Sequence, residues 1–282
     1  TLVTVNQQQQ EEVKLEAHQA LESVFKAKSS RPNDQPTCDE SIEIIRPNLF
    51  QFPIMNQVDQ PITCEEVEEL IKSKATKRSA PGADGITYEF ISNLGQWGVV
   101  TLTRIFNKII DSNELPSSWL IGTIMPIFKS GEKKQASNYR PITLLSVGRK
   151  MVESILTKRI SKYMEQDKRL HKCQAGFRKG RSTLMNALIV NEVMLRNKDH
   201  MSNRPSIVTA FDVIGAYDCV DRNRLWYKAK KIGIPTKLID LFAKLNDQLV
   251  LKVNVNNQLS DGYQLEVGLT QGSACSPDLY NI

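Results

Sequence analysis

The sequence contains no apolar run approaching the length of about 18 residues that a membrane-spanning helix needs. Its first residues also lack the charged, apolar and small-residue succession of a secretory signal peptide. Cysteines are few and widely spaced, with no C-x-x-C pair, at Cys38, Cys64, Cys173, Cys219 and Cys275. This spacing argues against a structural zinc site or a disulfide framework. We therefore expect an intracellular protein, nuclear or cytoplasmic, with no membrane partner.

The sequence also lacks a large excess of either charge. It has 37 Lys and Arg residues and 31 Asp and Glu residues, which gives a net charge of +6. The distribution of charge is more informative than the total. Between Lys129 and Arg181, fifteen basic residues face four acidic ones, a net charge of +11. If these residues share one side of the fold, they form a track for phosphate groups, although a solvated surface is the plainer interpretation.

The apolar run Ile207–Phe211 predicts a buried strand, because β-branched and aromatic residues favour a packed, pleated surface. Asp212 follows directly, where the apolar run ends. A carboxylate fixed at the end of a rigid strand and open to a cleft suits a divalent metal, which prefers hard oxygen ligands. The alternative is that Asp212 merely ends the strand. A helix is expected over Leu225–Ile232, ending at Gly233.

Other elements follow from apolar periodicity and turn signals. Thr63 and Glu66 fit a capping box at the start of a helix. Apolar residues at helical spacing predict helices within 1–30 and over 90–110, 147–164 and 183–197. Strands over 121–128 and 139–145 predict a hairpin with a polar tip, in which Pro126 indicates an edge position. A second hairpin, formed by 249–255 and 258–267, is expected to turn near Asn256 and Asn257.

Five segments together resemble the motifs of a known family. The segment Asp212-Val-Ile-Gly-Ala-Tyr217-Asp218 resembles the first catalytic motif of reverse transcriptases. Gly268-Leu-Thr-Gln271-Gly-Ser-Ala-Cys-Ser-Pro277 resembles their next motif. Upstream, three segments resemble the finger motifs of non-LTR (LINE-type) retrotransposon reverse transcriptases, at 77–86, 138–145 and 174–183. The five segments follow the family's order and cover roughly residues 60–282.

The resemblance implies an α+β fold, the right-hand polymerase fold of reverse transcriptases. Residues 1–60 would form an N-terminal helix and a linker, 61–205 the template-binding fingers, and 206–282 a partial palm. The family's second catalytic element carries two adjacent aspartates, and this sequence contains no Asp-Asp pair. We therefore expect fingers plus an incomplete palm with the thumb absent, and a chain that is inactive by itself.

The implied reaction is RNA-directed DNA synthesis, in which deoxynucleoside triphosphates extend a DNA primer on an RNA template with two Mg²⁺ ions. By resemblance, Asp212 and the backbone carbonyl of Val213 would bind metal. Tyr217 would close off the 2′ position of the sugar, and Gln271 would lie against the incoming nucleotide. Asp218 matches the motif but is assigned a structural role.

Basic residues would hold the phosphates. Lys129 and Arg140 lie on the two strands of the first predicted hairpin and would neutralise the triphosphate, Lys as a point charge and Arg as a planar fork. The remaining basic residues assigned by resemblance would contact the template backbone: Lys77, Arg78, Arg178, Lys179 and Arg181.

Three interpretations remain open at this stage. The chain could be the fingers and partial palm of an active retrotransposon polymerase, a non-catalytic RNA-binding module derived from one, or a decayed copy without function. The joint presence of Asp212, Tyr217, Gln271, Lys129 and Arg140 favours the first. A module that only binds RNA has no need of Tyr217 or Gln271.

Overall fold

The computed structural model describes residues 7–28, 52–74, 80–200 and 207–282. Lys77, Arg78 and most of the predicted linker lie outside these ranges. The chain is mixed α/β. Its helices are α1 (Gln7–Lys28), α2 (Cys64–Lys74), α3 (Tyr88–Ser92), α4 (Gly95–Ser112), α5 (Val147–Gln166), α6 (Thr183–His200), α7 (Arg222–Ile232), α8 (Thr236–Asp247) and α9 (Ser276–Tyr280). None of the described helices is long and apolar enough to cross a membrane.

The described strands form one mixed sheet. They are β1 (Ile121–Phe128), β2 (Tyr139–Leu144), β3 (Val250–Val255), β4 (Gln258–Leu259) and β5 (Tyr263–Gln264). The order is β2-β1-β3-β4, and β5 also pairs with β3. β1 is antiparallel to β2 and parallel to β3, so the sheet joins a strand pair before residue 145 to strands after residue 249. From Met125 onward, β1 pairs only with β2, which confirms that Pro126 occupies a position open on one side.

Local signals for turns and helix ends are confirmed. The Thr63 backbone N–H donates to Glu66 Oε2 at 3.0 Å, and the Glu66 N–H donates to Thr63 Oγ1 at 3.4 Å, as a capping box requires. Asn256 and Asn257 have φ of 53° and 66°, the left-handed pair that joins β3 to β4 in a two-residue turn.

Two clusters of buried side chains hold these elements together. The larger one runs from Met55 to Leu279 and includes Phe106 of α4, Met151 of α5 and Leu238 of α8. The smaller one places Leu21 and Phe25 of α1 on a face of the sheet, against apolar residues that include Ile124, Leu251, Val253 and Tyr263. The helix predicted within residues 1–30 is therefore confirmed, and its last two turns cover the sheet.

The strand predicted over Ile207–Phe211 is wrong. This segment has no regular secondary structure, and Ile207 and Phe211 are 86% and 92% exposed. A strand needs a neighbour for its backbone N–H and C=O groups. None of the strands in the described part of the chain pairs with this segment. Asp212 consequently follows an exposed irregular segment instead of a rigid strand.

The helix predicted over 183–197 is confirmed as α6, but its apolar side chains are exposed on all sides. Leu184 is 67% exposed, Leu188 59% and Val193 52%. Helical periodicity therefore predicted the backbone conformation of this segment correctly. It did not predict burial, which depends on what packs against the helix.

Candidate functional site

The turn at 214–219 and the loop at 268–276 meet through backbone hydrogen bonds. The Leu269 N–H donates to Tyr217 O, and the Gly268 N–H donates to Val220 O, both at 2.8 Å. Gly268 has φ +93°, and a Cβ there would lie 2.9 Å from the Asp218 carbonyl oxygen. Only glycine fits this approach without strain. The two motifs that resemble reverse transcriptase sequences are thus in direct contact.

Gln271 connects the loop at 268–276 to strand β2 at the base of the β1–β2 hairpin. Its carbonyl oxygen accepts from the Thr143 N–H at 2.7 Å, and its Nε2 donates to Asp218 Oδ1 at 3.4 Å. The next residue, Gly272, has φ +121°, and a Cβ there would lie 2.2 Å from the Thr143 carbonyl oxygen. Close packing on β2 therefore requires glycine beside Gln271.

The Asp218 carboxyl group is partly buried in this junction. Burial raises its pKa above the usual range, while Lys28 and the hydrogen bond from Gln271 act in the opposite direction. Asp218 and Gln271 share a small cavity with the last turn of α1 and with the sheet, lined also by Phe25, Lys28, Ile124, Pro141, Thr143, Leu251 and Tyr263. The N-terminal helix thus forms one wall beside the predicted nucleotide contact.

Tyr217 is held by two other aromatic rings. Its ring centroid lies 5.4 Å from that of Tyr280 in an edge-to-face arrangement and 6.1 Å from that of Phe177. Burial raises the pKa of the Tyr217 phenol, and Tyr280 and Asp278 add to the shift. The neutral Tyr217 ring is therefore half-buried against two aromatic neighbours, and Tyr217 directly precedes Asp218 in the chain.

Lys129 and Arg140 lie on one exposed face of the hairpin. Arg140 is opposite Ile127 in the β1–β2 register, and the Lys129 N–H donates to Asn138 O at 2.8 Å. Residues 127, 129 and 140 therefore point to the same face, so Lys129 and Arg140 are diagonal neighbours. The Thr143 side chain points to the other face. The hairpin is joined to the Gln271 loop through its backbone.

The loop at 174–183 divides its basic residues into two groups. Arg178 forms a bidentate pair with Glu165, at 2.6 Å to each carboxylate oxygen, and donates to the carbonyls of His171 and Gln174. The hydrogen bonds from Arg178 hold the pKa of Glu165 below its usual range. Lys179 and Arg181 are exposed. Arg178 therefore shapes the loop, whereas its two neighbours face solvent.

Other arginines between Lys129 and Arg181 also pair with acidic side chains, so fewer basic groups are available to a ligand than the sequence predicts. Besides Arg178, the arginines that pair with acidic side chains are Arg149 with Glu153, Arg159 with Glu66 and Arg169 with Asp167. The net charge of +11 consequently includes several charges that stabilise the fold instead of facing a ligand.

The described residues do not by themselves form a site for the metal ions that the resemblance implies. Asp212 and Val213 are exposed, and no group of three His, Cys, Asp or Glu side chains suited to a metal occurs in the described ranges. The Asp212 carboxylate and the Val213 carbonyl together offer at most three oxygens, fewer than the roughly six ligands of Mg²⁺. These residues alone therefore do not hold a metal ion that could take part in catalysis.

Sequence reasoning missed three residues of this site. Thr143, Tyr280 and Glu153 contact the Gln271 loop or Tyr217 across separations of 63 to 128 positions in the numbering. Glu153 had a local signal, since it follows Arg149 by four residues on a helix. Its contact with the loop had none, because helical periodicity does not report a partner 120 residues away.

Comparison with known proteins identifies the family to which the chain is similar. The family model described as reverse transcriptase (RNA-dependent DNA polymerase) matches residues 131–282. The chain is 30% identical over 223 residues to the RNA-directed DNA polymerase from mobile element jockey of Drosophila melanogaster, covering 78% of this chain and 24% of the relative. It is 29% identical over 224 residues to the probable RNA-directed DNA polymerase from transposon BS of Drosophila melanogaster, covering 79% of this chain and 24% of the relative.

A third relative is the Retrovirus-related Pol polyprotein from type-1 retrotransposable element R2 of Popillia japonica. It is 27% identical over 228 residues, which cover 79% of this chain and 30% of the relative. The chain thus spans about a quarter of the length of the first two curated relatives. On the matched domain and the identity of these relatives, the chain belongs to the reverse transcriptase family, among those of non-LTR retrotransposons.

Proposed function

We propose that this chain is the nucleotide- and template-binding part of an RNA-directed DNA polymerase that copies the RNA of a non-LTR retrotransposon. The observation that carries this proposal is the junction of Tyr217, Asp218 and Gln271 at the base of the β1–β2 hairpin. Family membership supports the reaction class. The junction supports the assignment of the site.

In this proposal, Tyr217 selects the sugar. Its ring is held in place by Tyr280 and Phe177, so it cannot move aside for a 2′-hydroxyl at low cost. A ribonucleotide would be crowded at this wall, and its hydroxyl would lose hydrogen bonds that water supplies. The deoxyribose would fit. Gln271, anchored by its backbone to Thr143, would lie against the same nucleotide.

Phosphate binding falls to the exposed basic residues. Lys129 and Arg140 share one face of the hairpin, opposite to the face on which Thr143 borders the cavity at Gln271, and in this proposal they would neutralise the triphosphate. Lys179 and Arg181, together with Lys77 and Arg78, would contact the template backbone. Arg178 would act indirectly, since its guanidinium group is committed to Glu165 and to loop carbonyls.

For the metal ions that the family uses, the proposal names only the residues that would serve as ligands. Asp212 and the carbonyl of Val213 would contribute oxygens to one of the two Mg²⁺ ions. Bound Mg²⁺ supplies charge neutralisation at the transferring phosphate.

The test is Gln271→Ala in a polymerase of the relatives' full length that carries these residues. Loss of one contact to the nucleotide should raise KM for deoxynucleoside triphosphates by about tenfold, with a smaller change in kcat. The matched control is Gln248→Ala, because Gln248 is exposed after α8 and is not among the residues that line the Asp218–Gln271 cavity. An unchanged KM together with unaltered RNA binding would favour a module that binds RNA without a nucleotide site.

A further inference from the structure

Beneath the Gln271 loop lies an ion pair that is fully buried. Arg149 Nε donates to Glu153 Oε1 at 2.8 Å, and both side chains are 0% exposed. Arg149 Nη1 donates to the Trp119 carbonyl at 3.0 Å, while its Nη2 has no partner among the described residues. Both residues lie on α5, whose position is fixed by the main hydrophobic cluster.

The second carboxylate oxygen of Glu153 holds the loop that carries Gln271. Glu153 Oε2 accepts from Ser273 Oγ at 2.8 Å and from the Ala274 N–H at 2.9 Å. The same loop is closed by the bond from Ser276 Oγ to the Thr270 carbonyl at 2.9 Å. A helix in the core is thereby connected to the segment on both sides of Gly272.

Gln271 thus stands between two anchors. On one side its own carbonyl is bound by the Thr143 N–H of β2. On the other side, two residues later, Ser273 is bound by Glu153. Both anchors belong to rigid elements, and the backbone between them is limited by the contact of Gly272 with Thr143. The backbone of Gln271 is therefore held in one position, which limits the region that its side chain can reach.

Burial gives this arrangement its strength. A buried carboxylate without partners is costly, so Glu153 favours the one loop conformation that supplies the Ser273 hydroxyl and the Ala274 N–H. A buried ion pair adds little stability compared with well-packed apolar residues. Its directional hydrogen bonds, by contrast, define where the loop lies.

We propose that Glu153 is a positioning residue for nucleotide binding, which acts through Ser273 and Ala274 to hold Gln271 against the incoming nucleotide. The inference rests on the proposed function, because Gln271 is the nucleotide contact in it. Arg149 orients the Glu153 carboxylate through the bond from its Nε to Oε1.

The first test is Ser273→Ala, which removes one bond to Glu153 and leaves the Arg149–Glu153 pair intact. In the full-length polymerase, KM for deoxynucleoside triphosphates should rise about fivefold, while kcat stays within about twofold. The control is Thr157→Val, since Thr157 is buried one turn further along α5 and its hydroxyl bonds only within the helix. An unchanged KM in Ser273→Ala would overturn the proposal.

A double-mutant cycle separates positioning from general stability. If Ser273 acts through Gln271, then Ser273→Ala should have almost no further effect on KM in the Gln271→Ala background. Additive effects of the two changes would contradict the proposal. If Gln271→Ala itself leaves KM unchanged, the proposed function fails at this site. If Gln271→Ala raises KM and Ser273→Ala does not, only the positioning role fails.

A second variant guards against a folding defect. Replacing the pair together, as Arg149→Met with Glu153→Leu, removes the buried charges and keeps apolar volume, so folding should be retained. Hydrogen exchange in the 282-residue chain should then be faster in 268–276 than in the original protein and unchanged in α5. The full-length polymerase should again show a raised KM. Unaltered exchange in the loop, or an unaltered KM, would show that the pair does not position Gln271.

Discussion

At the scale of single residues, Asp218 is held where its charge is disfavoured. Burial raises its pKa in the folded protein above the unfolded value. The folded state therefore binds more protons than the unfolded state between these two pKa values, and stability falls as the pH rises through that window. The cost of the charge is present at neutral pH and disappears below the unfolded pKa.

Asp218→Asn should therefore raise the free energy of unfolding at about pH 7 relative to the original protein, because the amide has no charge to bury. Its oxygen can still accept from Gln271. The gain should shrink towards about pH 4, as the original carboxyl group becomes protonated. Urea unfolding at both pH values measures the difference, with Asp261→Asn in the exposed segment between β4 and β5 as the control. A variant that is less stable by the same amount at both pH values would contradict the assignment.

Arginine shows what the sequence can and cannot predict at this scale. The excess of basic residues between Lys129 and Arg181 is plain from the sequence. Arg178 nevertheless turns inward to Glu165, while Lys179 and Arg181 face solvent. The planar guanidinium group pairs well with carboxylates and carbonyls inside a fold. Which arginine pairs inside the fold depends on where its acidic partner lies in space, and that position cannot be read from the sequence.

At the scale of elements, local signals predicted the structure well. The cap at Thr63 and the turn at Asn256 and Asn257 depend on neighbouring residues, so their chemistry is complete in the sequence. The segment Ile207–Phe211 differs. Its apolar composition favours a strand, but a strand also needs a pairing partner that is remote in the sequence. Composition alone therefore gave the wrong structure there.

The docking of α1 is the prediction that belongs to this scale. Phe25 is 3% exposed and packs in the cluster that covers the sheet. Phe25→Ala should lower the free energy of unfolding by about 3 kcal/mol, through lost burial and the cavity left behind. Urea unfolding of the 282-residue chain measures this change.

The control for α1 is Ser23→Ala on the exposed side of the same helix, where a change within about 0.5 kcal/mol is expected. If Phe25→Ala were as mild as Ser23→Ala, α1 would not be packed on the sheet in solution. The wall that Phe25 and Lys28 give to the cavity beside Gln271 would then be absent as well.

At the scale of the whole molecule, the site is assembled from three remote parts of the chain. Thr143 lies on the hairpin, Tyr217 and Asp218 on the turn after the exposed segment, and Gln271 on the loop after β5. Their motifs could be recognised in the sequence. Their contacts could not be derived from it, because the parallel pairing of β1 with β3 and the hydrogen bonds from the 268–269 loop to the turn join segments that are remote in the sequence.

In the proposed function, the motif from Asp212 to Asp218 lies at the active centre of a reverse transcriptase. The direct measurement is incorporation of deoxynucleotides and ribonucleotides on an RNA template by a full-length polymerase that carries these residues. The two variants to compare are Asp212→Asn and Tyr217→Ala, with RNA binding measured in each.

Asp212→Asn should abolish incorporation and keep RNA binding, since the amide keeps the shape of the side chain but lacks the negative charge that neutralises the cation, and the template is held by basic residues elsewhere. Tyr217→Ala should keep deoxynucleotide incorporation and relax discrimination against ribonucleotides, because it removes the aromatic wall alone. Ordinary polymerisation by Asp212→Asn, or unchanged sugar selectivity in Tyr217→Ala, would show that this motif does not lie at the active centre.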